Sequence, residues 1–223
     1  MDKPNAFVVG GSSGLGLDLG RLLARDYQVF ITGRRNPEVE GISFLPLDLS
    51  SDLHVLARNL DDVIAGLPRI EVLVYAAGFR QEGRIDGLTD SDIVAMSSVG
   101  LLAPAMLIRR VMKKQDGLAG IIAITSISQW TPKVLEPMYN AVKGGLGMLA
   151  NSLSLDPRVG KVLVAGPAGM LTKFWAGSSR DTTGMLDPAW VAREILGLYE
   201  GEFKYRLARI LRKPPRIEVV ETR

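Results

Sequence analysis

Short, almost purely apolar runs alternate along this chain with longer amphipathic stretches, and no other feature limits its folding as much. Ala6–Val9, Tyr27–Ile31, Ile42–Leu47, Glu71–Tyr75, Ile121–Thr125 and Lys161–Ala165 read as strands buried on both faces. Helical patterns lie between them. Asp18–Arg25 sets Leu19, Leu22 and Leu23 on one face, and Asp52–Ile64 does the same with Leu53, Leu56, Leu60 and Ile64. Thr89–Met112 predicts one long helix, capped by Thr89 with Asp92 three residues on. Met138–Leu153 follows, and Asp187-Pro188 starts a last helix carrying Val191, Ile195 and Leu198. Doubly buried strands alternating with helices require a parallel sheet covered on both sides. The expected fold is α/β, a doubly wound sheet whose ligands bind beyond the carboxyl ends of the strands.

The 223 residues show no repeat and no Pro/Ser-rich linker, so residues 1–223 read as one domain. The absence of Cys excludes disulfides and thiolate metal sites, and points to a reducing, cytoplasmic setting. The one His, His54, falls on a predicted surface helix, so no metal site and no His-based triad is expected. The longest charge-free stretches, Ile93–Ile108 and Gly117–Pro132, fall short of a membrane span and contain Ser, Gly or Pro. Met1–Asn5 is polar and lacks a signal peptide's apolar region. The net charge of +3 gives no argument for nucleic acid. Six basic residues and no acid lie in Lys204–Arg216, within a C-terminal extension at 201–223, which leaves 21 basic against 24 acidic groups elsewhere. Phe203, Tyr205 and Leu207 alternate with the bases as in a one-sided edge strand. Pro214-Pro215 then break the run before a possible final strand, Ile217–Val220. The bases either protect a sheet edge or meet an anionic partner.

The first strand runs into Gly10-Gly11-Ser12-Ser13-Gly14-Leu15-Gly16 and then a helix. Glycines let the backbone approach a ligand, and the helix N-terminus offers unpaired N–H groups to a pyrophosphate. The second strand ends in Thr32-Gly33-Arg34-Arg35. An acid there would bind a ribose 2′-hydroxyl; none is present. Arg34 and Arg35 suit a 2′-phosphate instead, so NADP (NADPH) is expected over NAD; a solvated turn is the other reading.

Tyr139 and Lys143 lie four apart on a predicted helix and share a face. A free Tyr holds its proton too tightly to act as a base at neutral pH, and an ammonium nearby favours the phenolate, so the pair forms an acid–base unit. Ser126 stands thirteen residues earlier, just past the fifth strand.

Together these motifs resemble the short-chain dehydrogenase/reductase family, in a somewhat shortened form and over about residues 6–200. The resemblance implies a Rossmann-like fold and a reductase or dehydrogenase acting on a small, apolar carbonyl or alcohol. It assigns Tyr139 as proton donor to the carbonyl, Ser126 as its orienting hydroxyl, and Lys143 as the group that lowers the Tyr pKa and holds the nicotinamide ribose. It places Ser97 where many members carry a catalytic Asn. Asp48-Leu49 falls where the adenine is contacted, although Asp48 could equally cap the next helix; Ser50, Ser51 and Asp52 are better placed for that. Tyr75-Ala76-Ala77-Gly78 matches Asn-Asn-Ala-Gly with both asparagines lost. Pro167-Ala168-Gly169-Met170-Leu171-Thr172 matches a segment that contacts the nicotinamide, with Ala168 replacing Gly. The alternative is a sensor that keeps the fold and binds NADP without turnover.

Residues 173–186 read as a mobile lid. Phe79, Trp130, Met138, Phe174 and Trp175 either flank the site or pack under loops. Arg80 and Lys133 either bind an acidic group or sit in solvent. Gly144, Gly145 and Gly147 interrupt a helix and imply close packing. The resemblance suggests a homo-oligomer interface there; packing on the chain's own sheet is the other reading.

Overall fold

Each central strand sends alternate residues to opposite faces, so one sheet serves two cores. The computed structural model describes residues 3–49 and 52–223. Its strands are β1 (Asn5–Val9), β2 (Gln28–Gly33), β3 (Ile42–Pro46), β4 (Val72–Tyr75), β5 (Leu118–Ile124), β6 (Val159–Pro167), β7 (Tyr205–Arg212) and β8 (Pro215–Thr222). They form one sheet in the order β3-β2-β1-β4-β5-β6-β7-β8, parallel except for β8. The helices are α1 (Gly14–Leu23), α2 (Leu53–Gly66), α3 (Asp90–Ser97), α4 (Ala103–Gln115), α5 (Pro137–Leu153) and α6 (Pro188–Tyr199). Phe7, Leu73, Ile121 and Val162 pack with Leu60 of α2, Leu107 of α4 and Leu146 of α5. Val8, Val74, Ile122 and Leu163 pack on the other face with Leu19 of α1 and Ile195 of α6. The fold is the doubly wound, Rossmann-like α/β sheet that the alternation predicts. Its strand order reverses between β1 and β4, which opens a crevice at their carboxyl ends.

Side-chain caps set several helix starts. Thr89 and Asp92 form a reciprocal capping box on α3, and Asp187 accepts from Ala189 and Trp190 at the start of α6. Asp52 caps α2 by accepting from Val55 at 2.9 Å. Asp48 is therefore not the cap, and Ser50 and Ser51 lie outside the described residues. α1 begins at Gly14, four residues before the expected Asp18, so Leu15 and Gly16 belong to its first turn.

The long helix differs from expectation. It runs from Asp90 to Gln115, but Ser98–Leu102 forms a π turn between α3 and α4. Ala103 donates to Ser98, five residues back, rather than to Val99. In that register the next donor would be residue 104, which is Pro and has none. The fully buried Tyr75 supplies the missing bond: its hydroxyl donates to the Val99 carbonyl at 2.5 Å. Gly100, in the same turn, lets α5 come close; a Cβ there would lie 2.5 Å from the Val142 side chain.

By length and composition Asp90–Gln115 reaches what a membrane span requires, correcting the expectation that no segment does. Here Met96 is buried, and Leu107, Ile108 and Val111 pack against the sheet.

The tail also needs correction. β7 is not an edge strand: it lies between β6 and β8, and β8 is the edge. Several of its bases are tied down locally. Arg209 pairs with Glu218 of β8 at 2.9 Å, and Arg206 donates to the Leu198 carbonyl at 2.6 Å with its guanidinium over Phe203.

Candidate active site

A cavity of about 1000 Å³ opens at the carboxyl ends of the strands. A smaller cleft of about 590 Å³, near Lys3, Asn5 and Gln28, lies at the opposite ends of β1 and β2, away from the crevice.

One half of the large cavity is a glycine cradle. Gly10, Ser12, Ser13, Gly14, Leu15 and Gly16 line it. Gly10 has φ +81°, and a Cβ there would lie 2.6 Å from the Ala77 backbone. A Cβ on Gly16 would strike the Gly10 carbonyl. Only a chain without side chains at these points can bring the loop, α1 and the end of β4 together. Ser13 precedes α1 without a side-chain cap, so its own hydroxyl does not occupy the amides of the first turn. Thr32, buried at the end of β2, anchors the loop by accepting from the Gly10 amide at 3.2 Å. Arg34 and Arg35 follow on the wall, and among the described residues no ion pair holds either. Asp48, Leu49, Ala76, Ala77 and Gly78 complete this half. The donor set and the close-packed cradle fit a dinucleotide.

The other half gathers the titratable groups. Ser126 follows β5, and α5 carries Tyr139 and Lys143 on the face turned to the cavity. Lys143 is 5% exposed and donates to the Ile124 carbonyl at 2.9 Å. Burial pushes its ammonium down to about 8. Tyr139 is half-buried and faces the cavity. Burial pushes its hydroxyl up to about 12; the nearby Ser126 hydroxyl works in the opposite sense, and the Glu136 charge adds to the rise. The Lys143 ammonium lies 5.8 Å from the Tyr139 ring centroid. Desolvation, rather than this ammonium, therefore sets the Tyr139 proton affinity in the protein without cofactor, unlike the lowering that the family resemblance implies.

Pro167, Ala168, Gly169 and Thr172 line the far wall, and Thr172 lies near Gly14. The 173–186 segment leaves this wall and returns to it: Met170 bridges Leu186, and Trp175 donates to the Met170 carbonyl at 2.9 Å. Phe174 packs against Tyr139 with ring centroids 5.9 Å apart.

Among the expected site residues, Ser97 alone is not on the wall; its neighbour Val99 is. Trp130 and Met138 are also off the wall, whereas Phe79, Phe174 and Trp175 are on it. Trp130 packs instead over Gly166 and beside Arg209. Two of the three α5 glycines serve the chain's own packing, Gly145 against Leu101 and Gly147 against Gln129; Gly144 faces open space. The sequence reading missed Thr32, Ser128, Glu136 and Arg180. Only Ser128 had a local signal: it lies two residues after Ser126, and its amide donates to the Ser126 hydroxyl in a short turn.

A family model described as short chain dehydrogenase matches residues 4–182. The human 3-oxoacyl-[acyl-carrier-protein] reductase is 28% identical over 178 residues, 74% of this chain and 73% of that protein. Its bovine counterpart is 26% identical over 177 residues, with the same coverage. The solved structures include a Francisella tularensis short chain dehydrogenase family protein, with TM-score 0.80 and 18% identity over 93% of this chain and 97% of that one. A Sphingobium yanoikuyae short-chain dehydrogenase in complex with NADPH gives TM-score 0.77 and 19% identity over 92% of this chain and 87% of that one.

Proposed function

This chain belongs to the short-chain dehydrogenase family, and from that premise we propose that it is an NADP-dependent reductase of a small carbonyl compound. The observation that carries the reading is the convergence of Ser126, Tyr139 and Lys143 on the cavity that the glycine cradle also lines. When bound, NADPH supplies a hydride to the carbonyl carbon. Gly10, Ser12, Ser13 and Gly14 would hold its pyrophosphate, and Arg34 and Arg35 its 2′-phosphate. Ser126 orients the carbonyl oxygen. Tyr139 is protonated at neutral pH, as any tyrosine is, and gives its proton to the oxygen as negative charge develops there. Lys143, mostly charged below its shifted value of about 8, steadies that charge and would meet the nicotinamide ribose. The protonated hydroxyl is the form that carbonyl reduction consumes.

The NADPH-bound structural neighbour supports the choice of NADP, as do Arg34 and Arg35, which no ion pair holds among the described residues. A homo-oligomer belongs to the same proposal. Gly144 opens onto no neighbour and Met148, on the same helix, is exposed, so mass measurement in solution checks it. The second reading, an NADP sensor, draws on the position of Ser97 off the wall. The test is NADPH oxidation over a panel of aldehydes, ketones and quinones. Turnover supports the reductase, and tight NADPH binding with no turnover on any of them supports the sensor.

A further inference from the structure

The substrate end of the cavity is built around a buried carboxylate outnumbered by cations. Glu136 is 7% exposed and lies three residues before Tyr139. Its two oxygens are taken by Lys133 at 2.6 Å and Arg180 at 3.1 Å. Those cations arrive from different segments, one from the turn before α5 and one from the 173–186 loop. Lys133 also donates to the Ser128 hydroxyl at 3.0 Å, and Ser128 accepts from Ser126 at 3.1 Å. An ammonium therefore stands two hydrogen bonds from the hydroxyl that orients the carbonyl. All of these side chains line the cavity.

The charge count is the informative part. One carboxylate against two cations leaves a unit of positive charge in a partly desolvated space, and one incoming anion would neutralise it. A donor is also left over. Arg80 lines the same wall; a terminal nitrogen of its guanidinium pairs with Glu82, which leaves its charge balanced, but its Nε is buried with no acceptor among the described residues. The Nε atoms of Arg206 and Arg209 are likewise unpaired, but neither residue lines the cavity. Trp175 stands between two guanidinium groups, with Arg180 5.0 Å and Arg80 6.0 Å from its ring centroid. This arrangement holds charge in a pocket that Phe174 and Trp175 also line.

We propose that the substrate is an oxo acid: a short ketone or aldehyde whose single carboxylate is received by Lys133, Arg180 and the free donor of Arg80. The proposal rests on the reductase reading and replaces the wholly apolar substrate expected from the aromatic residues alone. The carbonyl carbon gains the hydride and its two electrons from NADPH, which leaves as NADP⁺. The oxygen gains the Tyr139 proton, which solvent restores. The carboxylate is untouched, and the product is a hydroxy acid.

Acetoacetate and levulinate, each against its methyl ester, test this with NADPH at neutral pH. The expected kcat/KM is about 10–100-fold higher for the acid, as charge-assisted contacts give. In Lys133→Met and Arg180→Met that ratio falls toward one, mainly through KM for the acid. Esters used as well as acids, or a ratio that survives both substitutions, would overturn the proposal. A pantetheine thioester of acetoacetate preferred over the free acid would also overturn it, because the carboxylate is then masked. A second measurement does not need turnover: tryptophan fluorescence titrated with acetoacetate and with acetone, the same ketone without its carboxylate. Acetoacetate binding that is tighter in the wild type and lost in both Met variants supports the anion site even if no ketone is reduced; in that case it is the reductase reading that fails. Acetone binding as tightly as acetoacetate overturns the anion site whatever the turnover.

Discussion

Tyr75→Phe isolates one buried bond. The ring is 0% exposed and keeps its packing in the variant, so only the hydroxyl is lost. That hydroxyl is the donor to the Val99 carbonyl in the π turn. Ala103 is committed to Ser98, and Pro104 has no N–H, so the carbonyl is left buried without a partner. A stranded buried acceptor costs about 1–3 kcal/mol. For a chain of this length that lowers Tm by roughly 4–8 °C at a cost near 2 kcal/mol. Urea unfolding should show a lower midpoint with an unchanged slope. Pro104→Ala provides the control, since it restores an N–H at the position the carbonyl lacks. The double variant should recover part of the loss, with a coupling of about 0.5–2 kcal/mol. Equal stability of Tyr75→Phe and wild type would refute the account of the π turn, and so would strict additivity of the two changes.

Three further outcomes follow from the site. Arg34→Ala should weaken NADPH binding about 10–100-fold, the worth of a charge-assisted contact, and NADH by no more than about threefold; equal losses in a binding titration would contradict the 2′-phosphate role. Lys143 carries a stability cost that pH reveals. Its folded value of about 8 lies below the ordinary lysine value, so below pH 8 the protonated amine costs about 3 kcal/mol, and the unfolded chain binds more protons between pH 8 and 10. Stability without cofactor should therefore rise with pH across that window. Lys143→Met should flatten the rise and gain about 1–2 kcal/mol at pH 7, after the lost bond to Ile124, while activity falls. Gly100→Ala should cost about 1–3 kcal/mol through its clash with Val142, and should lower kcat because α5 carries Tyr139; unchanged unfolding and turnover would count against it.

The sheet was legible because buried strands need apolar residues on both faces, as Phe7 and Val8 show by feeding opposite cores. Caps such as Thr89 and Asp187 were legible because they act on amides two or three residues away. The π turn was not, since it depends on Tyr75 from another strand meeting a carbonyl opposite a proline. β7 was misread as an edge because Arg206 and Arg209 look solvated in sequence, yet one reaches a helix carbonyl and the other a glutamate on β8. The cradle side of the cavity was readable from contiguous glycines. The Glu136 cluster was not, because its members are dispersed over residues 128–180 and meet only in three dimensions.

The central claim is that Tyr139 delivers the proton that completes carbonyl reduction. The direct measurement is single-turnover reduction of a carbonyl substrate by Tyr139→Phe with saturating NADPH, alongside a cofactor titration. The account predicts a rate loss of about 10²–10⁴-fold with NADPH affinity kept within a few-fold. A Phe variant that reduces the substrate as fast as wild type would contradict it.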